Sequence, residues 1–277
     1  MPDLSYISKE EMLMPGYQAA KDRLTVLLGG NASSNMKLKP LLVYYSENPR
    51  ALKNTAKCSL PIVWKGNLKA WVTQAVLQDW FFHHFIPEVE KYCLEMDIPF
   101  NILLLLNNAL GHPPFMDNFH PNIKVVHLPP YTTSLIQTMD QGVIATFKKY
   151  YLHHIFCQAV KVSDESGKTL WQFWNISNIY KAITNIDFAR SEVTAVTMNG
   201  VWQNICPRSR FSWIWKVGEE FKEVFSNLVT LSEKLELVLQ EGNFIELLAV
   251  QHDGLTNEDL MELEAQRKDK ERQEEKK

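Results

Sequence analysis

Apolar positions in the first half of the chain alternate between short continuous runs and a helical period. Arg23 to Ala32 (RLTVLLGGNA) and Lys37 to Ser46 (KLKPLLVYYS) are apolar, partly β-branched stretches split by the polar Ser33-Ser34-Asn35, which predicts an antiparallel hairpin or meander. From Leu68 to Met96, Trp71, Val72, Val76, Leu77, Trp80, Phe81 and Phe85 recur at helical spacing, predicting a helix that Pro87 breaks or kinks. Ile102 to Leu106 is a continuous apolar run bounded by Pro99 and by Gly111-His112-Pro113, the pattern of a strand buried on both faces. Ile123 to Pro130 (IKVVHLPP) predicts a second strand stopped by two prolines, and Thr133 or Ser134 to about Lys161 predicts a long capped helix. From Leu170 onward the pattern is helical, with Gly167 marking a break near residues 163 to 168.

Strands that feed helices and return to parallel strands imply an α/β layer architecture. The expected organisation is an α/β unit over residues 1–163, a helical region over 164–250 and a charged tail over 251–277. The tail opens on a capping arrangement at Thr256-Asn257-Glu258-Asp259 and ends in the mixed-charge RKDKERQEEKK.

Composition narrows the classes. Hydrophobic residues make up 45% of the chain, enough for a sizeable core, and no apolar run approaches the roughly 20 residues of a spanning helix. MPDLSYISKEEM has neither the basic start nor the apolar stretch of a signal peptide, so a soluble intracellular protein without membrane contact is expected. Cys58, Cys93, Cys157 and Cys206 are too far apart for a local zinc or redox pair and read as reduced thiols. The formal charge is −3, split as +2 over residues 1–160 and −5 over 161–277. Neither half therefore advertises a strongly basic surface, and Lys65 to Lys69 and Lys148-Lys149 read as ordinary surface lysines. The acidic helical half is a candidate surface for self-association or a protein partner.

Candidate chemistry gathers where the apolar strands end, because ligands of open α/β sheets collect at the carboxyl ends of strands. Asn107 comes directly after the run Ile102 to Leu106, and Asp140 lies at the start of the helix beyond the second strand. His112, Asp117 and His120 make an H-x4-D-x2-H cluster nearby, but the prolines between them favour a turn histidine over a metal polyhedron. His83-His84 and His153-His154 read as packing residues, and Trp171, Trp174, Trp202, Trp213 and Trp215 as core rather than base-stacking platforms.

LNNALGHPP, VVHLPPYTTSLIQTMDQGVIATFKKYYL and KLKPLLVYYSENPRALKN, together with the later LTNEDLMELE, resemble the DDE-type integrase domain of the pogo and Tigger transposases, the group that includes jerky-like proteins. That resemblance implies a ribonuclease H-like fold in which three carboxylates hold two magnesium ions for in-line attack on a phosphodiester. It places the third acid at Asp140 and the second at Asn107, where an amide replaces the carboxylate. The first acid belongs to a family segment upstream of SYISKEE that this chain does not show. The expectations are an incomplete ribonuclease H-like domain lacking its first central strand, two strands left without a partner, and a helical C-terminal region. Leu110, Tyr131 and Thr138 also depart from the family's turn pattern. The implied function has no competent catalytic residue, Asp140 as the single remaining and weak metal ligand, no cofactor retained, no small-molecule substrate, and weak DNA binding in a nuclear protein. The alternatives are a residual magnesium-dependent endonuclease and a protein-interaction module.

Overall fold

The computed structural model describes residues 23–107, 109, 111–113, 116–129, 139–202, 217–235 and 237. Strand β1 (Leu24–Leu27) pairs antiparallel with β2 (Leu41–Tyr44), Leu24 opposite Tyr44, and β3 (Val63–Gly66) lies parallel on the other side of β2. The expected hairpin is thus present, extended by a bridge between Gly30 and Lys37. Strand β3 is an element the apolar pattern does not announce. Ile62, Val63 and Trp64 are followed at once by Lys65 and Gly66, too short a run to read against the two 3-10 turns, Arg50–Leu52 and Lys57–Ser59, that lead to it.

Helix α1 (Gln74–Trp80) starts six residues later than the apolar period suggests. Ala70 is left-handed at φ 55°, and the Asn67 side chain accepts from the Trp71 N–H, so residues 67–71 form a loop. Thr73 then caps the helix by accepting from the Val76 N–H at 3.3 Å. Pro87 does not break the helix. The backbone widens into a π turn over Phe81–Phe85 and continues as α2 (Ile86–Glu95), with Pro87 in its first turn, where a missing N–H costs least.

β4 (Ile102–Leu106) and β5 (Ile123–His127) form a separate parallel pair, Leu106 opposite His127. Here the expectation of burial on both faces fails: Leu103 is 60% exposed and only Leu106 is buried. Among the described residues β4 has a strand on one side only, and helix covers one of its faces rather than both.

The remaining helices are α3 (Ile144–Ser166), α4 (Leu170–Ile176), α5 (Ile179–Glu192), α6 (Ala195–Trp202) and α7 (Val217–Lys234). Gly167, left-handed at φ 59°, ends α3, and Thr169 with Gln172 forms a reciprocal capping box on α4. The expected helix start at Thr133 or Ser134, the tail from Thr256, Cys206, Trp213 and Trp215 lie outside the described residues.

Alternation along β2 divides the core into two layers. Leu41 and Val43 face Leu77, Trp80 and Phe81 of the α1–α2 helix, in a cluster that also takes in Leu106, Ile123 and Val125. Leu42 and Tyr44 face the opposite way, onto Phe147 of α3, Ile183 and Ile186 of α5, and Met198 of α6. A third cluster joins α3 to α4 and α7. The hairpin is tied to α5 by a reciprocal clamp: the Arg190 Nε donates to the Leu38 carbonyl at 3.1 Å, while Lys37 Nζ donates to the Arg190 carbonyl at 2.9 Å.

Two expectations about side chains are corrected. Lys149 is not a surface lysine: it is 1% exposed, on the face of α3 that meets Phe225 of α7. Trp171 and Trp174 are not core, at 44% and 39% exposed, because Leu170 and Phe173 occupy the inward face of the short α4.

Candidate functional site

Parallel pairing of β4 and β5 brings their carboxyl ends to one edge, where the Leu128 N–H donates to the Leu106 carbonyl at 2.8 Å. Asn107 is the first residue beyond β4 on that edge and is half-buried. The chain then turns back at Gly111, with the His112 N–H donating to the Ala109 carbonyl at 2.9 Å. His112 folds over the strand end: its Nδ1 donates to the Asn107 main-chain carbonyl at 2.8 Å. Burial pushes the His112 imidazole below the ordinary histidine value, the nearby His127 acts in the same direction, and the Asn107 carbonyl opposes both. His112 is therefore a neutral turn histidine at physiological pH.

The H-x4-D-x2-H cluster is dispersed. His120 packs against Phe100 with ring centroids 5.3 Å apart and accepts from the Asn122 N–H, and Asp117 is exposed on a 3-10 turn. Sequence reasoning missed His127 instead. As the last residue of β5 it sits 6.4 Å from His112, ring to ring, and its Nε2 is buried without a hydrogen-bond partner among the described residues. The signal available was its place, directly before Leu128-Pro129, at the strand's carboxyl end.

Asp140 lies in a π-type turn, Met139–Val143, that leads into α3. Gly142 within it has φ 150°, a conformation that side chains rarely adopt, and the turn packs on α6. This bend sets where residues 139–141 stand relative to the helix. The Asp140 side chain and residues 130–138, which link it to β5, lie outside the described residues, as does any juxtaposition of Asp140 with Asn107. Among the described residues no group of three or more His, Cys, Asp or Glu side chains is placed to hold a metal ion. A cavity beside the turn, lined by Leu38, Met139, Val143 and Val193, has a volume of about 20 Å³, room for a single water.

Of the other expected packing residues, His154 stacks on Phe188 at 4.0 Å, whereas His83 is not packed: its side chain is 71% exposed, 3.3 Å from the Asp79 carboxylate one turn earlier. Cys58, Cys93 and Cys157 are free thiols. No described helix is long and apolar enough to cross a membrane.

Residues 21–202 match the family described as DDE superfamily endonuclease. The chain is 28% identical over 250 residues to the Tigger transposable element-derived protein 7 of Homo sapiens, an alignment covering 85% of this chain and 45% of that protein. It is 34% identical over 142 residues to the Jerky protein homolog of Homo sapiens, covering 50% of this chain and 25% of that protein. With the Jerky protein of Mus musculus it shares 28% identity over 201 residues, 72% of this chain and 34% of the other. The chain spans less than half the length of each of these relatives. No solved structure matches it.

Proposed function

We propose that this chain, which belongs to the DDE superfamily endonuclease family, is a transposase-derived protein whose metal site has lost its chemistry and whose remaining activity is DNA binding in the nucleus. Asn107 is the observation that carries the reading. It stands at the carboxyl end of β4, where the resemblance requires a carboxylate, and it offers one neutral amide oxygen. Magnesium binds hard, negatively charged oxygens and parts with its waters reluctantly, so a carboxamide is a poor substitute. Of the two positions, only Asp140 is anionic, and one carboxylate balances about half the charge of a single divalent ion. Asn107 with Asp140 does not fit a metal pair.

The architecture is read as ribonuclease H-like, with β1–β3 and β4–β5 as two parts of one sheet whose connecting strand is not among the described residues. The shared cluster of Leu41, Val43, Leu106 and Val125 supports that reading, since both parts rest on the same helix. Nuclear location is inferred from the transposase-derived relatives.

Nicking of supercoiled plasmid in Mg²⁺ or Mn²⁺ tests the inert site. The chain and its Asp140→Ala variant are expected to give the same background. Nicking by the parent that Asp140→Ala abolishes would establish residual endonuclease activity instead. A second reading, self-association through α4 and α5, is favoured by the exposure of Trp171, Trp174, Ile176 and Tyr180. Light scattering after size exclusion decides it: a dimer mass that Trp171→Asp/Trp174→Asp reduces to monomer supports the reading, and a monomer throughout removes it.

A further inference from the structure

We propose that His112 and His127 form a two-imidazole site for a divalent cation of the zinc or nickel class at the carboxyl edge of β4 and β5, where the ion ties the turn after β4 to the end of β5. The proposal does not rest on the DNA-binding reading, and it gives this edge a ligand of different chemistry from the inherited one. Magnesium needs charged oxygens, which Asn107 does not supply. Neutral imidazole instead suits zinc, copper and nickel.

The fold brings the two rings together from different directions. His127 is the last residue of β5 and stands opposite Leu106 in the parallel register, on the strand face it shares with Ile123 and Val125. His112 returns over the same edge on the turn at Gly111, and its ring centre lies 6.4 Å from that of His127. Its Nδ1 donates to the Asn107 main-chain carbonyl at 2.8 Å, which fixes the tautomer and leaves the lone pair on Nε2. A backbone carbonyl on the far nitrogen is the support that metal-bound histidines ordinarily have. The second ring offers the complementary atom: His127 Nε2 is buried and has no hydrogen-bond partner among the described residues.

Distance narrows what can lie between them. A direct N–H···N bond would bring the ring centres to about 5 to 5.5 Å, closer than they stand. An ion about 2.0–2.1 Å from each nitrogen holds two imidazole centres roughly 5 to 6.5 Å apart, the separation growing as the angle at the metal opens. The observed spacing lies at the open end of that range, so a tetrahedral angle asks for a movement of about 1 Å between a turn and a strand end. A metal needs the neutral imidazole, which is the form of His112 described above. A water molecule would span the same gap, and it is the alternative the test has to remove. Among the described residues no third His, Cys, Asp or Glu joins the pair. The remaining positions on the ion therefore fall to water and to the Asn107 carboxamide, which makes the site open and its metal exchangeable.

The test uses the full chain, stripped with a chelator and labelled with nitrogen-15 at histidine, titrated with zinc and read in imidazole correlation spectra. The His112 and His127 signals are expected to shift together and to saturate at one ion per chain, while those of His83, His84 and His120 stay in place over the same range. Excess magnesium should not displace the zinc. By calorimetry, His112→Gln and His127→Gln are each expected to weaken zinc binding about tenfold or more, and His120→Gln and Asp140→Ala to leave it unchanged. The thermal midpoint of the parent should rise with zinc and that of His127→Gln should not. The spectra are read on the unmutated chain, so they decide the matter even where a variant misfolds. If saturating zinc leaves His112 and His127 unmoved, the two rings enclose a water or merely pack, and this site is wrong while the DNA-binding reading stands. If magnesium displaces the zinc and Asp140→Ala abolishes its binding, the ion occupies the inherited carboxylate position, which overturns this assignment and the inert-site reading together.

Discussion

Two glycines separate the two reasons a position tolerates no side chain. Gly66 ends β3 where the chain of Glu47 passes across it, and a Cβ built there would lie 2.6 Å from the Glu47 Cα and 2.7 Å from its nitrogen. Both are backbone atoms, so nothing flexible can give way. Gly66→Ala is expected to cost roughly 1–3 kcal/mol, seen as a lower urea midpoint at unchanged slope. Gly167 has open space around it and a φ of 59°. Gly167→Ala is therefore a purely conformational change, expected to cost about 1 kcal/mol by the same measurement. The sequence shows neither cause directly. Gly167 is legible as a helix stop because polar residues precede it, whereas Gly66 looks like any strand-end glycine until Glu47 is placed beside it. Asn107 is the reverse case. Its position after five apolar residues is readable at once, and the structure adds only that its carbonyl is held by His112.

At the scale of elements, legibility depends on the length of the pattern. β1 and β2 lie in apolar runs long enough to be recognised, and β2 shows why its run is unbroken: Leu41 and Val43 serve one layer, Leu42 and Tyr44 the other. The start of α1 is hidden because Trp71 and Val72 continue the helical period, while the left-handed Ala70 that stops the helix carries no compositional mark. Lys149 misleads for a related reason. A lysine beside Lys148 suggests solvent, yet α7, more than sixty residues on, covers it. Burial pushes the Lys149 ammonium down to about 8 from an ordinary value of 10.5. Between those values the unfolded chain binds more protons at this site than the folded one, so its contribution makes stability rise with pH across that window, by at most about 1.4 kcal/mol per unit. Tyr151, pushed up to about 12 by burial, works in the opposite direction above its ordinary value of 10.0. The informative quantity is thus the difference between the parent and Lys149→Met. That variant should be the more stable at pH 7, and its advantage should shrink as pH rises from 8 to 10; an advantage constant with pH would show that Lys149 titrates normally.

For the molecule as a whole, the decisive feature is that sheet and C-terminal helices share side chains. Leu42, Tyr44, Ile62 and Trp64 on one face of the β1–β3 sheet are covered by Ile179, Ile183 and Ile186 of α5 and by Met198 and Val201 of α6. No periodicity in the sequence could reveal this, since each element is amphipathic in its own right and the partner is chosen only in three dimensions. The energetic consequence is large. Exposing those four sheet residues forfeits roughly 1.5–3 kcal/mol each, a total comparable with the roughly 5–15 kcal/mol that stabilises an entire domain. A chain ended at Gly167 would keep every described strand, the whole α1–α2 layer and α3, yet leave that face only the cover of Val143 and Phe147, with the α5 and α6 side chains gone. It is expected to retain helical circular dichroism, bind a hydrophobic dye strongly and unfold in urea without a sigmoidal transition. The same dye and denaturant measurements on the full chain should show weak dye binding and a single cooperative step. A cooperative transition in the shortened chain would mean that α1–α2 alone supports the sheet, and that α5 and α6 dock onto a surface already folded without them.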